Sequence, residues 1–290
     1  MPDVIGFGAL NLDRLCYVKK TARPGEHQPV ESMLECPGGS AANTIAWLAD
    51  SGFKTGFIGA LGNDIEGQRI LEDFKKRGVD IRNIQTAKAG TGVTTGLVDE
   101  KGERTLYPHP GANSLLKTGR KEIEYAKTAK IIHLSSFVDD MQFNGQKKLV
   151  KQLSDKTVIS LSPGDLYTKK GLKKLRPLLE RCGVLILNKK EIEQLTGTDY
   201  KSACKKLSKL GVKQIAVTLG PKGCYIHCQD KGTPIPCKKI RPLDTTGAGD
   251  AYNAGYLTGI LKGKTPLESG RLGNQTAAKC ITHKGARQTV

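Results

Sequence analysis

Aromatic side chains are scarce in this chain: one Trp, six Phe and eight Tyr among 290 residues. They do not interleave with the basic residues, which excludes a stacking platform for single-stranded nucleic acid. No apolar run approaches the roughly 18 residues that span a bilayer. The opening Met1-Pro2-Asp3-Val4-Ile5 lacks the basic and apolar segments of a secretion signal. These absences predict a cytoplasmic protein with no membrane partner. The eight cysteines form no paired C-x-x-C, and without a secretion signal free thiols are expected. Cys224, His227 and Cys228 fall in a strand-like stretch whose side chains alternate between faces, unlike a zinc cage. Two phosphate signatures fail as well. Gly263-Lys264-Thr265 ends like a P-loop, but Thr258 stands where the first glycine belongs. Gly6-Phe7-Gly8 has Asn11 in place of the third glycine of a dinucleotide fingerprint.

What is present is an ordinary globular composition, 38% hydrophobic and 26% charged, with a strong basic excess. Forty-six Lys and Arg against 28 Asp and Glu give a formal charge of +18. A field of that sign attracts anions: a nucleotide, a phosphorylated metabolite or nucleic acid. The basic residues are spread as helix-surface pairs such as Lys147-Lys148 and Lys205-Lys206, which points away from nucleic acid. A nucleic-acid-binding or regulatory role is the alternative that only the charge favours.

Short apolar strands alternate with amphipathic helices. Strands are expected at Val4-Ile5-Gly6-Phe7-Gly8, at 55–59, 131–134, 157–161, 184–187, 214–218 and 223–228. Helices are expected near 40–51, 65–77, 142–153, 170–181, 199–210 and 248–261. This alternation predicts an α/β fold, a doubly wound, mostly parallel sheet with helices on both faces. Two regions break the pattern, 14–36 and 91–108. The second reads as a hairpin turning at Glu100-Lys101-Gly102-Glu103. Together they predict a small β-sheet lid on a single domain spanning 1–290.

The most informative run is Asp244-Thr245-Thr246-Gly247-Ala248-Gly249-Asp250. Gly247, Ala248 and Gly249 have little or no side chain, so a phosphate can approach the backbone where a helix begins. Amide donors and the helix dipole favour negative charge there. Asp250, in the first turn, can take a proton from an attacking hydroxyl while the amides hold the phosphate. Near the N-terminus, Asn11 and Asp13 share one side of an extended segment. Pro37-Gly38-Gly39-Ser40-Ala41-Ala42-Asn43 opens a helix. Asn11, Asp13 and Asn43 would form a polar cluster at strand ends, where open α/β sheets bind ligands. Polyols suit such a cluster, because each hydroxyl wants both a donor and an acceptor.

With these patterns in order, the chain resembles the ribokinase-like (PfkB) family of carbohydrate and nucleoside kinases. The match includes Gly59-Ala60-Leu61-Gly62-Asn63-Asp64, Asn188-Lys189-Lys190-Glu191 and Thr218-Leu219-Gly220-Pro221-Lys222-Gly223. The resemblance implies a β-sheet lid and Asp250 as base over an anion hole at 247–249. It places Asn11, Asp13, Gly39 and Asn43 on the sugar. Asn188 and Glu191 would order Mg²⁺ and phosphate through water, and Thr218, Gly220 and Gly223 would line the nucleotide loop. Asn274 falls near the base pocket. Asp244 and Thr246 resemble a site for a monovalent cation such as K⁺. ATP or ADP fits as donor, and a homodimer through the exposed lid sheet is compatible. Where ribokinases resemble one another in carrying a glutamate, Ser135 and Ser136 stand here, which disfavours free ribose. Arg14, Arg104, His109 and Asn113 lie near the expected mouth, similar to archaeal sugar-phosphate kinases including ribose-1-phosphate kinase. The acceptor is expected to be a sugar or sugar phosphate, with a nucleoside as the competing reading.

Overall fold

The computed structural model describes residues 1–100 and 104–287. The hairpin turn expected at 100–103 lies largely outside the described residues.

Chain order is β1 (Val4–Phe7), β2 (Asn11–Val18), β3 (Val30–Gly38), α1 (Ser40–Asp50), β4 (Thr55–Gly62), α2 (Ile65–Lys76), β5 (Asp80–Ala87), β6 (Gly92–Val98) and β7 (Arg104–His109). Then follow α3 (Arg120–Ala126), β8 (Ile131–Ser135), α4 (Asp140–Lys151), β9 (Val158–Ser162), α5 (Gly164–Thr168), α6 (Leu172–Leu179), β10 (Cys182–Asn188), α7 (Lys189–Thr196) and α8 (Tyr200–Ser208). The chain closes with β11 (Gln214–Thr218), β12 (Cys224–Cys228), β13 (Lys231–Ile235), α9 (Ala248–Leu261) and α10 (Pro266–Cys280).

Nine strands form one sheet in the order β13-β12-β11-β10-β9-β8-β1-β4-β5. Every pair from β11 to β5 is parallel, and only the β11–β12 and β12–β13 pairs are antiparallel. The period of two along each strand sends alternate side chains into two apolar layers. In β1, Ile5 and Phe7 join Ile123, Leu149 and Leu175 on the face of α3, α4 and α6. Val4 joins Ile45, Trp47 and Phe74 on the face of α1 and α2, with Ala251 of α9. The doubly wound expectation therefore holds. The helix expected at 170–181 is α6, which Gly171 enters at φ 81°, and the short α5 precedes it. Strands β5 and β13 and helix α3 had no strong pattern. They lie at sheet edges or are short, where half-exposed side chains blur the period.

A second sheet has the order β3-β2-β6-β7, formed by the two segments expected to make the lid. Its register decides which side chains look inward. Asp13 pairs with Cys36 and Thr94, and Arg14 with Glu35 and Thr95. Thr94 faces Pro108, and Val98 faces Arg104. Asp13, Leu15, Thr94, Val98 and Arg104 thus share one face, whereas Arg14, Thr95, Tyr107 and His109 share the other. Burial follows the faces in β6, where Thr94 and Val98 are buried and Thr95 is exposed, whereas β7 is exposed along its whole length.

Candidate active site

The loop before α9 is shaped by close contact. Gly247 caps the helix in the left-handed region at φ 75°. A Cβ there would also sit 2.5 Å from Ala286, so both backbone and space demand glycine. Above Gly249 nothing lies within 4 Å of a built Cβ. That space is bounded by the N-terminus of a fourteen-residue helix. The Ala248 N–H turns inward to Thr245 O at 3.2 Å. The Gly249 and Asp250 N–H groups, in the first turn of α9, have no acceptor among the described residues. They and the helix dipole make an anion cradle.

Asp250 stands at its rim. Ser40 Oγ donates to its Oδ1 at 2.7 Å, and Asn43 Nδ2 donates to its Oδ2 at 2.8 Å. Both donors come from the first turn of α1, so the two helix starts meet at this carboxylate. Burial pushes its pKa up, while Ser40, Asn43, Arg287 and Arg104 pull it back. Asp13 faces the same space. Gly38 leaves room for it, since a Cβ on Gly38 would lie 2.2 Å from its carboxylate. Burial raises the Asp13 pKa to about 6, opposed by Arg287, Thr94 and Arg104 and reinforced by the charge of Asp250. Two half-buried carboxylates close to the cations Arg104 and Arg287 suit acid–base chemistry on a polar ligand.

Asn11 donates to Thr94 Oγ1 at 3.3 Å and accepts from Asn113 Nδ2 at 2.9 Å. Asn113 also donates to the Leu10 carbonyl and accepts from the Leu10 N–H, both at 2.9 Å. It is buried, and its amide braces the strand from which Asn11 and Asp13 project. Arg104 reaches from the lid to Thr246 Oγ1 at 3.0 Å, so the lid touches the anion loop directly. Arg14 and His109 do not join it. Arg14 points to the opposite face and is paired with Glu35 and Glu66 at 2.8 and 2.9 Å. His109 shares that outer face by its register opposite Val93. The expected trio is divided because residues an odd number of positions apart on one strand face opposite ways. Ser135 is occupied too: its Oγ accepts from the Ala41 N–H at 3.1 Å. It thereby satisfies a helix start that Gly39 cannot cap by a side chain.

Asp244 accepts from the Thr246 and Gly285 N–H groups, each at 2.8 Å. Burial alone would raise its pKa, but these bonds and the Thr246 hydroxyl hold it below the usual value. The same residue thus staples the anion loop to the segment after α10.

On the far side of the sheet's C-terminal edge, Asn188 is paired with Thr218 across β10 and β11. The two lie against a cavity of about 400 Å³ also lined by Lys189, Lys190, Tyr200, Gly220 and Lys222. Gly220 and Gly223 turn the chain between β11 and β12. Asn188 and Glu191 form a capping box at α7, each accepting from the other's backbone N–H at 2.9 Å. Burial raises the Glu191 pKa, with backbone bonding from Asn188 opposing it. Among the described residues no three His, Cys, Asp or Glu gather to cage a metal. One carboxylate beside a lysine-lined pocket fits Mg²⁺, a hard cation commonly held by phosphates, waters and a single carboxylate. Asn274 donates to the Ile235 carbonyl at 3.2 Å, steadying the end of β13. A larger hollow of about 620 Å³, around Met1, Arg82 and Tyr125, includes none of these residues.

Sequence reasoning passed over Ser40, Thr94 and Arg287. Ser40 sits inside the Gly-Gly-Ser-Ala-Ala-Asn run, and its place at a helix start was the available signal. Arg287 belongs to no motif and is seen only in three dimensions.

An alcohol-accepting phosphotransferase is the class that this sheet, lid and anion loop define. Residues 1–290 match the pfkB family of carbohydrate kinases, and the chain belongs to that family. An uncharacterized sugar kinase of Archaeoglobus fulgidus is 37% identical over 244 residues, covering 83% of this chain and 96% of that protein. The ribokinase of Haemophilus influenzae is 28% identical, covering 98% of this chain and 93% of its own. The structure of Arabidopsis thaliana ribokinase complexed with ribose and ATP superposes with a TM-score of 0.86 at 26% identity, covering 98% and 94% of the two chains. The protein is therefore a carbohydrate kinase, a transferase of phosphoryl groups to an alcohol acceptor. No helix among the described residues is long and apolar enough to cross a membrane.

Proposed function

We propose that this kinase transfers the γ-phosphoryl group of ATP to a hydroxyl of a sugar that already carries a phosphate, ribose 1-phosphate being the representative acceptor. The carrying observation is Arg104. It projects from the inner face of the lid, reaches the anion loop at Thr246 and acts electrostatically on both Asp13 and Asp250. A cavity holding two carboxylates repels a phosphorylated ligand unless a cation faces it, and a guanidinium can grip phosphate through two parallel bonds. Ser135, spent on the start of α1, supplies no carboxylate for the free sugar.

In this reading Asp13 and Asn43 hold sugar hydroxyls, and the attacking hydroxyl donates to Asp250. As the oxygen bonds to phosphorus, its proton passes to the Asp250 carboxylate. The Gly249 and Asp250 N–H groups face the transferring phosphoryl group, stabilising its charge. Asn188, Glu191 and Thr218 would hold the nucleotide phosphates. Mg²⁺, when bound, neutralises phosphate charge, with Glu191 as its contact through water. The lid, latched by Arg104, excludes water that would otherwise accept the phosphoryl group. A K⁺ ion beside Asp244 and the Thr246 carbonyl would support the loop from behind.

The test is a panel of ribose 1-phosphate, D-ribose, fructose phosphates and nucleosides with ATP or ADP as donor, read by released nucleotide. A phosphorylated sugar should give the highest kcat/KM. Strong preference for unphosphorylated nucleosides would overturn the proposal.

A further inference from the structure

The segment after α10 carries a buried arginine that touches two parts of the candidate site and is anchored on α2. Arg287 Nε donates to Asn43 Oδ1 at 2.8 Å, and Nη2 donates to the Gly38 carbonyl at 3.0 Å. Its Nη1 pairs with Asp73 of α2, and the guanidinium lies 5.3 Å from the centre of the Phe74 ring. Its side chain is only 5% exposed. The segment is held beside it: Trp47 Nε1 donates to the Ala286 carbonyl at 2.9 Å, and the Gly285 N–H donates to Asp244.

The consequence falls on an amide. A carboxamide has one acceptor end and one donor end, and the two can exchange by a flip. Because Arg287 can only donate, it fixes the Asn43 oxygen toward itself. The Asn43 NH₂ must then point at Asp250 Oδ2, where it lies at 2.8 Å. A flipped Asn43 would set its oxygen against the carboxylate and leave an arginine donor unpaired in a buried place, a double cost.

We infer that Arg287 is a positioning residue for phosphoryl transfer: through Asn43 it orients Asp250, and with Gly38 it sets the floor under Asp13. The inference rests on Asp250 as the base and not on which acceptor is used. The charged groups that bear on Asp250 are Arg104 from β7, Asp13 from β2 and Glu191 from α7, together with Arg287, and the neutral Cys280 thiol of α10 lies nearby. Arg287 is one of two arginines in that set. Its positive charge favours the ionised form of both carboxylates, in the same sense as the geometry.

Two readouts separate this role from general structural support. The first is an NMR titration of ¹³Cγ-labelled aspartate in the substrate-free enzyme, with Asp250 assigned by its absence in Asp250→Asn. In Arg287→Met the Asp250 midpoint should move to higher pH by about one pH unit or more. The second is steady-state kinetics with ribose 1-phosphate and D-ribose in parallel. The better acceptor should lose roughly 10–100-fold in kcat/KM, with the KM for ATP within about twofold of the parent. That loss should be non-additive with Asn43→Ala. An unmoved midpoint in a folded Arg287→Met protein, or an ATP KM that rises in step with the acceptor effect, overturns the inference. Should Arg287→Met not fold, Arg287→Lys decides. A lysine keeps the charge but cannot hold Asn43, Gly38 and Asp73 together, so the acceptor-side loss should persist. A lysine variant equal to the parent in both readouts overturns it. Because the titration needs no acceptor, absence of turnover with both sugars would count against the proposed substrate class and leave this test standing.

Discussion

The two halves of the cleft are built differently. On the proposed acceptor side, Asp13 and Asp250 are half-buried, and Ser40, Asn43 and Thr94 already hold them. On the proposed nucleotide side, Asn188 and Glu191 cap a helix beside an open cavity edged by Lys189, Lys190 and Lys222. A half-buried, prebonded carboxylate has its reactivity set by neighbours at fixed positions, so small displacements there are costly. An open basic pocket receives a polyphosphate by several interchangeable contacts, and loss of one is tolerated. Substitutions on the first side should therefore alter chemistry and pH dependence. Those on the second should alter nucleotide affinity modestly.

The largest contrast should come from Asp250→Asn, which keeps the shape and removes the base. Its kcat should fall about 10²–10⁴-fold, while ATP binding measured by calorimetry stays within about threefold. Near-normal turnover in this variant would remove Asp250 from the chemistry. Next comes the acid limb. Asp13 must be ionised to accept from a hydroxyl, and its pKa lies at about 6. Acceptor kcat/KM should fall as pH drops below that value, up to about tenfold per pH unit. Arg104 favours the ionised form, so Arg104→Met should move the limb to higher pH. A limb that stays put would detach Arg104 from Asp13.

Stability carries the same signature with its sign worked through. The folded Asp13 pKa lies above its reference value of 3.8. The folded state therefore binds this proton more tightly than the unfolded one. Stability from this group is present below about pH 4 and is lost as pH rises toward 6. Asp13→Asn should accordingly raise the melting temperature at pH 7.5 relative to the parent, by a stability gain of roughly 1–2 kcal/mol. At pH 4 the gain should vanish. The smallest effects belong to the outer face of the lid and to the nucleotide side. Arg14→Ala and His109→Ala should each change acceptor KM by less than about twofold, since exposed ion pairs contribute little. Asn274→Ala should raise the KM for ATP by no more than about threefold and leave the acceptor KM unchanged. A strong acceptor defect in His109→Ala would mean that the register of the lid does not separate the two faces as described.

Much of this was legible in the chain itself. Helix α9 begins at Ala248 and ends at Leu261, the limits read from the small-residue run and its apolar continuation. Strands that alternate with helices gave the parallel sheet, because buried strands leave continuous apolar runs. Asn11, Asp13 and Asn43 were visible as polar residues at strand ends and a helix start. The rest depended on contacts that sequence distance hides. Arg104 and His109 look equivalent in one segment until pairing with β6 assigns them opposite faces. Arg14 looks free until Glu35 and Glu66 are found beside it. Arg287 meets Asn43 from 244 residues away, and no local pattern encodes that meeting. Strands β5 and β13, on the edges of the main sheet, escaped notice because one-sided pairing leaves a weak apolar signal.

The most direct test of the proposed acceptor class is the ratio of kcat/KM for ribose 1-phosphate to that for D-ribose, measured in the parent and in Arg104→Met. If Arg104 grips a substrate phosphate, the parent ratio should exceed about tenfold and the variant ratio should collapse toward one, chiefly through loss on ribose 1-phosphate. A ratio that is the same in both proteins, or a parent that prefers D-ribose, would contradict it.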